Sequence, residues 1–134
     1  MDRNKLFAGL DLVGRLLLAA LFVTDVWTII NNYGATADYL AQFGVPPLLL
    51  PLAAAAQLAG GLLVAIGWRT RLAALALALF CIATAFIFHS QSGDPGEAIQ
   101  FWKDLAIAGG FLVLSAHGAG ALSLDARISR AGTG

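Results

Sequence analysis

Residues 57–79 read QLAGGLLVAIGWRTRLAALALAL, two apolar runs joined by the short basic segment WRTR. The runs belong to segments 48–67 and 71–89, and each segment is long enough to cross a bilayer, which takes ~20 helical residues. Segments 6–30 and 99–121 are similarly long and apolar. The sequence therefore predicts an all-α protein, a membrane-embedded four-helix bundle with up-down-up-down topology.

The composition is that of a membrane protein. Of the 134 residues, 59% are hydrophobic and 12% are charged, whereas about 25% of the residues of a soluble domain are charged. This length predicts a single domain, residues 1–134, with a cytoplasmic tail at 122–134. Eight basic and eight acidic residues cancel, so no net charge favours a nucleic-acid partner.

Basic residues predict the orientation of the bundle. Neither the loop at 31–47 nor the loop at 90–98 contains lysine or arginine. The positive-inside rule therefore predicts that both termini are cytoplasmic in the bacterial inner membrane. In the first of these loops, Thr36 is a candidate N-cap and Gly44 a stop signal, which predicts a short helix on the outer membrane surface. Six basic residues lie on the cytoplasmic side: Arg3, Lys5, Arg69, Arg71, Arg127 and Arg130.

Polar residues inside the predicted spans are candidate functional residues, because ionisable groups at membrane depth are costly and usually have partners. Arg15 lies in the first span, four residues after Asp11, so the two side chains can form an ion pair. Gln57 in the second span is the other candidate partner of Arg15. We expect a hydrogen bond between Arg15 and Gln57 to hold the first two helices together.

A second polar layer is predicted in the outer third of the bilayer, where Asp25, His89, Lys103 and Asp104 fall at similar depth. Lys103 shares a helical face with Gly110, and we take that face as the one toward the bundle. This predicts an ion pair between Lys103 and Asp25 beside His89, at the outer end of a ligand pocket, with Asp104 turned away. The alternative is that Lys103 extends to the membrane interface.

Two further features limit the chemistry. Cys81 is the only cysteine, so the chain cannot form an intrachain disulfide or a C-x-x-C dithiol. Its two histidines, His89 and His117, are predicted at opposite faces of the membrane, so we expect no metal site. Any redox chemistry must therefore use a bound cofactor or a partner protein.

These motifs together resemble the DoxX family of small bacterial membrane proteins. The resemblance rests on the 57–79 stretch, QFWKDLAIAGG in the fourth span, LSLDAR in the tail, and the positions of Arg15 and His89. It implies the four-helix fold. It also implies similarity to the membrane subunits of an archaeal thiosulfate:quinone oxidoreductase, and some members are associated with oxidative-stress and thiol-handling partners. Members often have glutamate at Gln57 and asparagine at Asp104, so this chain departs from the pattern there.

Two functions follow as hypotheses. The first is a membrane subunit that binds a quinone or similar apolar ligand and supports electron or proton transfer with a redox partner. The second is a non-catalytic small-molecule carrier or assembly protein, in which polar groups only hold the helices in register. Whether the chain is an enzyme stays open, as does homo-oligomer formation, and no catalytic residue is assigned. The pocket candidates are Arg15, Asp25, Gln57, His89, Lys103 and Asp104.

Overall fold

The computed structural model describes residues 2–134, and every secondary-structure element in that range is a helix or a helical turn. Within that range it contains no β-strand, which confirms the predicted all-α class. The elements are α1 (Arg3–Asn31), α2 (Tyr33–Gln42), a 3₁₀ turn (Pro47–Leu49) leading into α3 (Leu50–Ile66), α4 (Thr70–Thr84) continued by a π-helical turn (Ala85–His89), α5 (Pro95–His117) and α6 (Leu124–Ala131).

Four of these helices are long and apolar enough to cross a membrane, which confirms the predicted membrane-spanning bundle. Many large apolar side chains on their outer surfaces are exposed, for example Leu17 and Leu52, as lipid contact requires. The short helix predicted between the first two spans is confirmed as α2. The spanning segments are Arg3–Asn31, Pro47–Ile66, Thr70–His89 and Pro95–His117.

The fourth span is displaced from its predicted bounds of 99–121, because local signals set both of its ends. Asp94 caps the N-terminus by accepting a hydrogen bond from the amide of Gly96, and Pro95 occupies the first turn, where a missing N–H is harmless. At the other end, Gly118 has φ +83°, which favours glycine and ends the helix at His117.

The helices pack through small residues. Gly60 of α3 lies so close to α4 that a Cβ atom there would be 2.8 Å from Leu77. Gly61 faces α1, where a Cβ atom would be 3.3 Å from Phe22. The ring of Phe22 also makes an edge contact with fully buried Phe111 of α5, with centroids 5.5 Å apart. Close approach at small residues is how helices gain contact in lipid.

Two ends of the bundle differ in charge. The start of α1, the α3–α4 connection and α6 lie at what we call the basic end, which carries the six basic residues named above. The α1–α3 connection, including α2, and the α4–α5 loop lie at the acidic end, which carries Asp38, Asp94 and Glu97. The positive-inside rule still predicts the basic end to be cytoplasmic.

Arg15 joins three segments at the basic end. Its side chain is 1% exposed, and its guanidinium donates hydrogen bonds to the carbonyl oxygens of Val64 and Ala65, each at 3.1 Å, and to that of Leu122. Carbonyls in the last turn of a helix have no intrahelical partner, so a guanidinium there replaces the missing donors. Arg15 thus ties α1 to the end of α3 and to the tail.

Both predicted partners of Arg15 were wrong. In residues 2–134, the ion pairs within 4.0 Å all involve His89, so Arg15 pairs with neither Asp11 nor any other carboxylate. Asp11 packs instead against Gly120, where a Cβ atom would be 2.5 Å from its Oδ2. Gln57 is not a partner because the long arginine side chain extends toward the basic end rather than across the bundle.

Asp125 ties the tail to the α3–α4 connection. Its carboxylate accepts hydrogen bonds from the backbone amides of Arg69 (2.8 Å) and Thr70 (3.0 Å), so it caps α4 from a distant part of the chain. Partial burial alone would raise the pKa of Asp125. The amide hydrogen bonds and the positive charge of Arg15 outweigh that effect and hold the pKa below its usual value.

Candidate functional site

A cavity of about 430 Å³ lies at the acidic end among all four spans and α2. Small-molecule sites typically have volumes of about 300–1,000 Å³, so the cavity is large enough for a small ligand. Its apolar wall consists of Leu21, Phe22, Phe80, Cys81, Phe88 and Ile107. Its polar wall consists of Asp25, Tyr39, Gln57, Thr84, His89, Gln100, Lys103 and Asp104.

The π-helical turn that continues α4 places two of these side chains. Such turns are uncommon and occur frequently at functional sites. Within the turn, Phe88 packs against Tyr39 and Phe43, with ring centroids 5.5 and 5.1 Å apart. This aromatic group holds α2 over the acidic end of the cavity, and the next residue, His89, is turned toward α5.

His89 lies between two carboxyl groups of α5. Its Nδ1 is in hydrogen-bond contact with Oε2 of Glu97, and its Nε2 is 3.7 Å from Oδ2 of Asp104. Residues seven apart lie two turns apart on one helical face, so both carboxyls can approach a single imidazole. The side chain of His89 is 17% exposed, less than those of Glu97 (34%) and Asp104 (26%).

The opposite wall contributes Asp25 from α1 and Gln57 from α3. Gln57 is 3% exposed, and its carbonyl oxygen has no hydrogen-bond partner among the described residues. Its side chain lies beside the carboxyl of Asp25. A buried polar atom without a partner is uncommon in native proteins and needs an explanation such as a bound molecule.

Tyr39 adds a polar group from outside the membrane spans. Burial raises the pKa of its hydroxyl, and the negative charge of Glu97 raises it further. The hydroxyl therefore stays protonated at neutral pH and can donate a hydrogen bond toward the cavity. Tyr39 was not among the pocket candidates, because its place in the cavity depends on how α2 folds back over the bundle.

Comparison with known proteins identifies the family. The DoxX family model matches residues 10–90. The chain belongs to the DoxX family. It is 40% identical over 119 residues to the inner membrane protein YqjF of Escherichia coli K12, covering 89% of this chain and 92% of the relative. It is 32% identical over 123 residues to the inner membrane protein YphA of the same organism, covering 87% and 88%. No solved structure matches.

These relatives support the predicted location, since both are named inner membrane proteins and the four apolar spans fit a multi-pass membrane protein. The residues matched by the DoxX model include Asp25, Gln57 and His89, whereas Lys103 and Asp104 lie beyond them. The α5 part of the cavity in this DoxX-family protein is thus outside the matched family core.

The predicted pair of Lys103 with Asp25 was wrong. Lys103 borders the cavity but is exposed, and no carboxylate oxygen in residues 2–134 lies within 4.0 Å of its amine. Asp104, which was predicted to turn away, is the residue that approaches His89. The inward face of α5 is marked by buried Ala108 and Phe111. Asp104 lies one turn before Ala108 and therefore shares that face.

Five of the six pocket candidates of this DoxX-family protein lie on the cavity wall, namely Asp25, Gln57, His89, Lys103 and Asp104. Arg15 is the exception, since it does not border the cavity and is bonded at the basic end. Glu97 was not selected from the sequence because it lay in a predicted loop. Its spacing of seven residues from Asp104 was the available signal. Within residues 2–134, no group of three His, Cys, Asp or Glu side chains is arranged to hold a metal ion.

Proposed function

We propose that this protein binds a quinone, or a similar apolar molecule with a carbonyl-bearing ring, in the cavity at the acidic end. The observation that supports this most is the composition of one cavity of about 430 Å³, in which aromatic and aliphatic side chains face a polar wall with both donors and carboxyl groups. Ligand sites typically combine a mostly apolar lining with a few polar groups that fix orientation.

The polar groups suit quinone chemistry. Quinone carbonyls are hydrogen-bond acceptors, and Lys103 and Tyr39 carry N–H and O–H donors on the cavity wall. Reduction of a quinone to a quinol takes up two electrons and two protons. Asp25 and Asp104 are ionisable groups beside the same space. Phe22 and Phe80, whose rings make an edge contact at 6.2 Å, would pack against the quinone ring.

The protein would act as the membrane subunit of a redox system, because electrons for the quinone must come from a partner protein or a bound cofactor. The need for an external electron donor follows from the cysteine content, because Cys81 is the only cysteine and is buried. A single thiol cannot cycle between dithiol and disulfide within the chain, so it cannot supply the two electrons. The electron donor would meet the protein near the cavity, where the ligand lies.

Quinone binding is tested by titrating the purified protein in lipid nanodiscs with a short-chain quinone and measuring affinity by calorimetry. Loss of one hydrogen bond to the ligand costs about 1.5 kcal/mol, so Tyr39→Phe, which removes the hydroxyl from the cavity wall, should weaken binding about tenfold. Tyr33→Phe is the matched control, because Tyr33 is the other tyrosine and is exposed outside the cavity. Equal affinity in both variants and the wild type would place the quinone elsewhere, and no binding to the wild type would reject the proposal.

A second measurement separates the redox subunit from a carrier. Protein extracted gently from membranes is examined for a co-purifying quinone whose absorbance changes on chemical reduction. A bound quinone that is reduced in the membrane by a cellular electron donor supports the redox subunit. A bound quinone that exchanges with the bilayer but is never reduced there supports the small-molecule carrier.

A further inference from the structure

We propose that Glu97, His89 and Asp104 form a proton relay between the surface at the acidic end and the cavity. This inference deepens the proposed function and rests on it for the identity of the proton acceptor. Its geometric basis is one imidazole with a carboxyl group at each ring nitrogen, at the boundary between the cavity and the surface.

The three residues are ordered from outside to inside. Glu97 has a partly exposed side chain and does not border the cavity, whereas Asp104 does. His89 borders both the cavity and a separate surface depression of about 170 Å³. An imidazole can accept a proton at one nitrogen while it releases another from the second nitrogen. Its position between the two carboxyl groups therefore connects water to the cavity.

Each proton transfer is balanced. Water protonates Glu97, whose Oε2 passes the proton to Nδ1 of His89. At the same time, Nε2 of His89 releases its own proton to Oδ2 of Asp104. Asp104 then donates this proton to an oxygen atom of the bound ligand. The imidazole, which now carries its proton on Nδ1, then rotates about its Cβ–Cγ bond, so that Nδ1–H faces Asp104 and Nε2 faces Glu97. A second transfer of the same kind and the reverse rotation restore the first state, so one cycle moves two protons and requires no electron.

The two links differ in length. Nδ1 of His89 is already in contact with Glu97, whereas the 3.7 Å between Nε2 and Asp104 is longer than a hydrogen bond. Catalytic hydrogen bonds are often long in the ligand-free state and shorten when the ligand binds. A small rotation of the Asp104 side chain, which lies beside Thr84, closes the second link.

Other groups around the cavity define the surroundings of the relay. The remaining titratable side chains on its wall are Asp25 of α1, Tyr39 of α2, Cys81 of α4 and Lys103 of α5. Asp25 has no cation within 4.0 Å in residues 2–134. Lys103 is exposed, and we expect it to offset the negative charge of the carboxyl groups without joining the relay.

An independent observation points to a ligand in the same cavity. The carbonyl oxygen of Gln57 is buried on the cavity wall and lacks a hydrogen-bond partner among the described residues. A polar atom left in this state is costly unless something pairs with it. The relay therefore leads to a space where a molecule with polar atoms would be stabilised.

The relay is tested without any quinone by time-resolved infrared spectroscopy after a rapid drop in pH. The infrared band of the protonated Asp104 carboxyl is assigned as the band that is missing from Asp104→Asn. The rate at which this band grows after the pH drop is then measured in the wild type and in Glu97→Gln. Positioned acid–base groups contribute about 10²–10⁴-fold to proton transfer, so Glu97→Gln should slow the band at least about tenfold. Asp94→Asn is the matched control, because Asp94 caps α5 and has no ion pair with His89.

Each outcome decides one proposal. A slowed Asp104 band in Glu97→Gln, with an unchanged rate in Asp94→Asn, supports the relay whether or not quinone binds. An unchanged rate in Glu97→Gln, or no protonation of Asp104 over the accessible pH range, overturns the relay even if quinone binding is intact. If Asp104→Asn does not accumulate, ¹³C labelling of aspartate side chains separates the aspartate bands from the glutamate bands.

Discussion

Replacing Arg15 by leucine tests the junction at the basic end. The substitution removes the donors to three carbonyl oxygens, of which the Val64 contact is buried and the Ala65 and Leu122 contacts are partly buried. An unsatisfied buried polar group costs about 1–3 kcal/mol, whereas carbonyls that water can reach cost less. Removal of the desolvated guanidinium offsets part of this loss. We therefore expect Arg15→Leu to destabilise the protein by about 2–4 kcal/mol.

Cys81 provides the assay, because it is the only cysteine and is 5% exposed. Although Cys81 lines the cavity, so little of its side chain is exposed that a thiol-reactive fluorescent dye labels it much faster once the bundle opens, and the temperature at which labelling accelerates reports unfolding in detergent. The expected loss corresponds to a decrease in Tm on the order of 10 °C. Arg127→Leu is the control, since Arg127 is exposed in the tail. Equal Tm values for Arg15→Leu, Arg127→Leu and the wild type would refute the role of Arg15 as the junction of three segments.

Three further predictions concern the basic end and the orientation. The lowered pKa of Asp125 stabilises the fold above its unfolded value of about 3.9. That contribution is lost as pH falls through the lower folded pKa. The Tm of the wild type should therefore decrease below about pH 4, and the Tm of Asp125→Asn should decrease less over the same pH range. Gly67→Ala should lower Tm, because φ is +73° and the new Cβ would lie 2.5 Å from Arg15, whereas Gly109→Ala meets no atom within 4 Å in the interior of α5 and should not lower Tm. In a cysteine-free background, a cysteine at Gly93 should react with an impermeant reagent from outside the cell and one at Ser129 should not; the reverse pattern would invert the orientation.

The spans were predictable because apolar length is a strong signal, but their ends required local chemistry. Asp94 followed by Pro95 is a helix-start signal that the apolar count overlooked, so α5 begins before the predicted Ile99. Residues 122–134 were predicted only as a cytoplasmic tail, with no helix assigned to them. Ser123, which accepts a hydrogen bond from Ala126, starts a short helix there by an ordinary N-cap, and that signal was also present in the sequence.

The partners of the buried charges were less predictable, because residue depth along a helix does not fix which way a side chain extends. Arg15 and Gln57 were paired by depth, yet the arginine reaches a helix end. Lys103 and Asp104 are adjacent and thus ~100° apart on α5, so an error in the inward face exchanged their roles. The face was misjudged from Gly110, whereas the fully buried Phe111 marks it.

The two ends of the bundle use their polar groups differently, and this difference bears on the choice between a structural and a ligand-binding role. At the basic end, the guanidinium of Arg15 and the carboxylate of Asp125 bond to backbone groups of three segments, so they hold the chain together. Buried atoms without a partner occur there too, namely Arg15 Nε and Thr70 Oγ1. At the acidic end, Asp25 has no cation within 4.0 Å among the described residues and lies beside Gln57, whose carbonyl oxygen is unpaired. The two ends differ in what surrounds these groups, because Asp25, Gln57 and His89 line a cavity of about 430 Å³ among all four spans, whereas Arg15 does not border it. Polar side chains around an otherwise apolar space of that size favour a ligand there over a purely structural role.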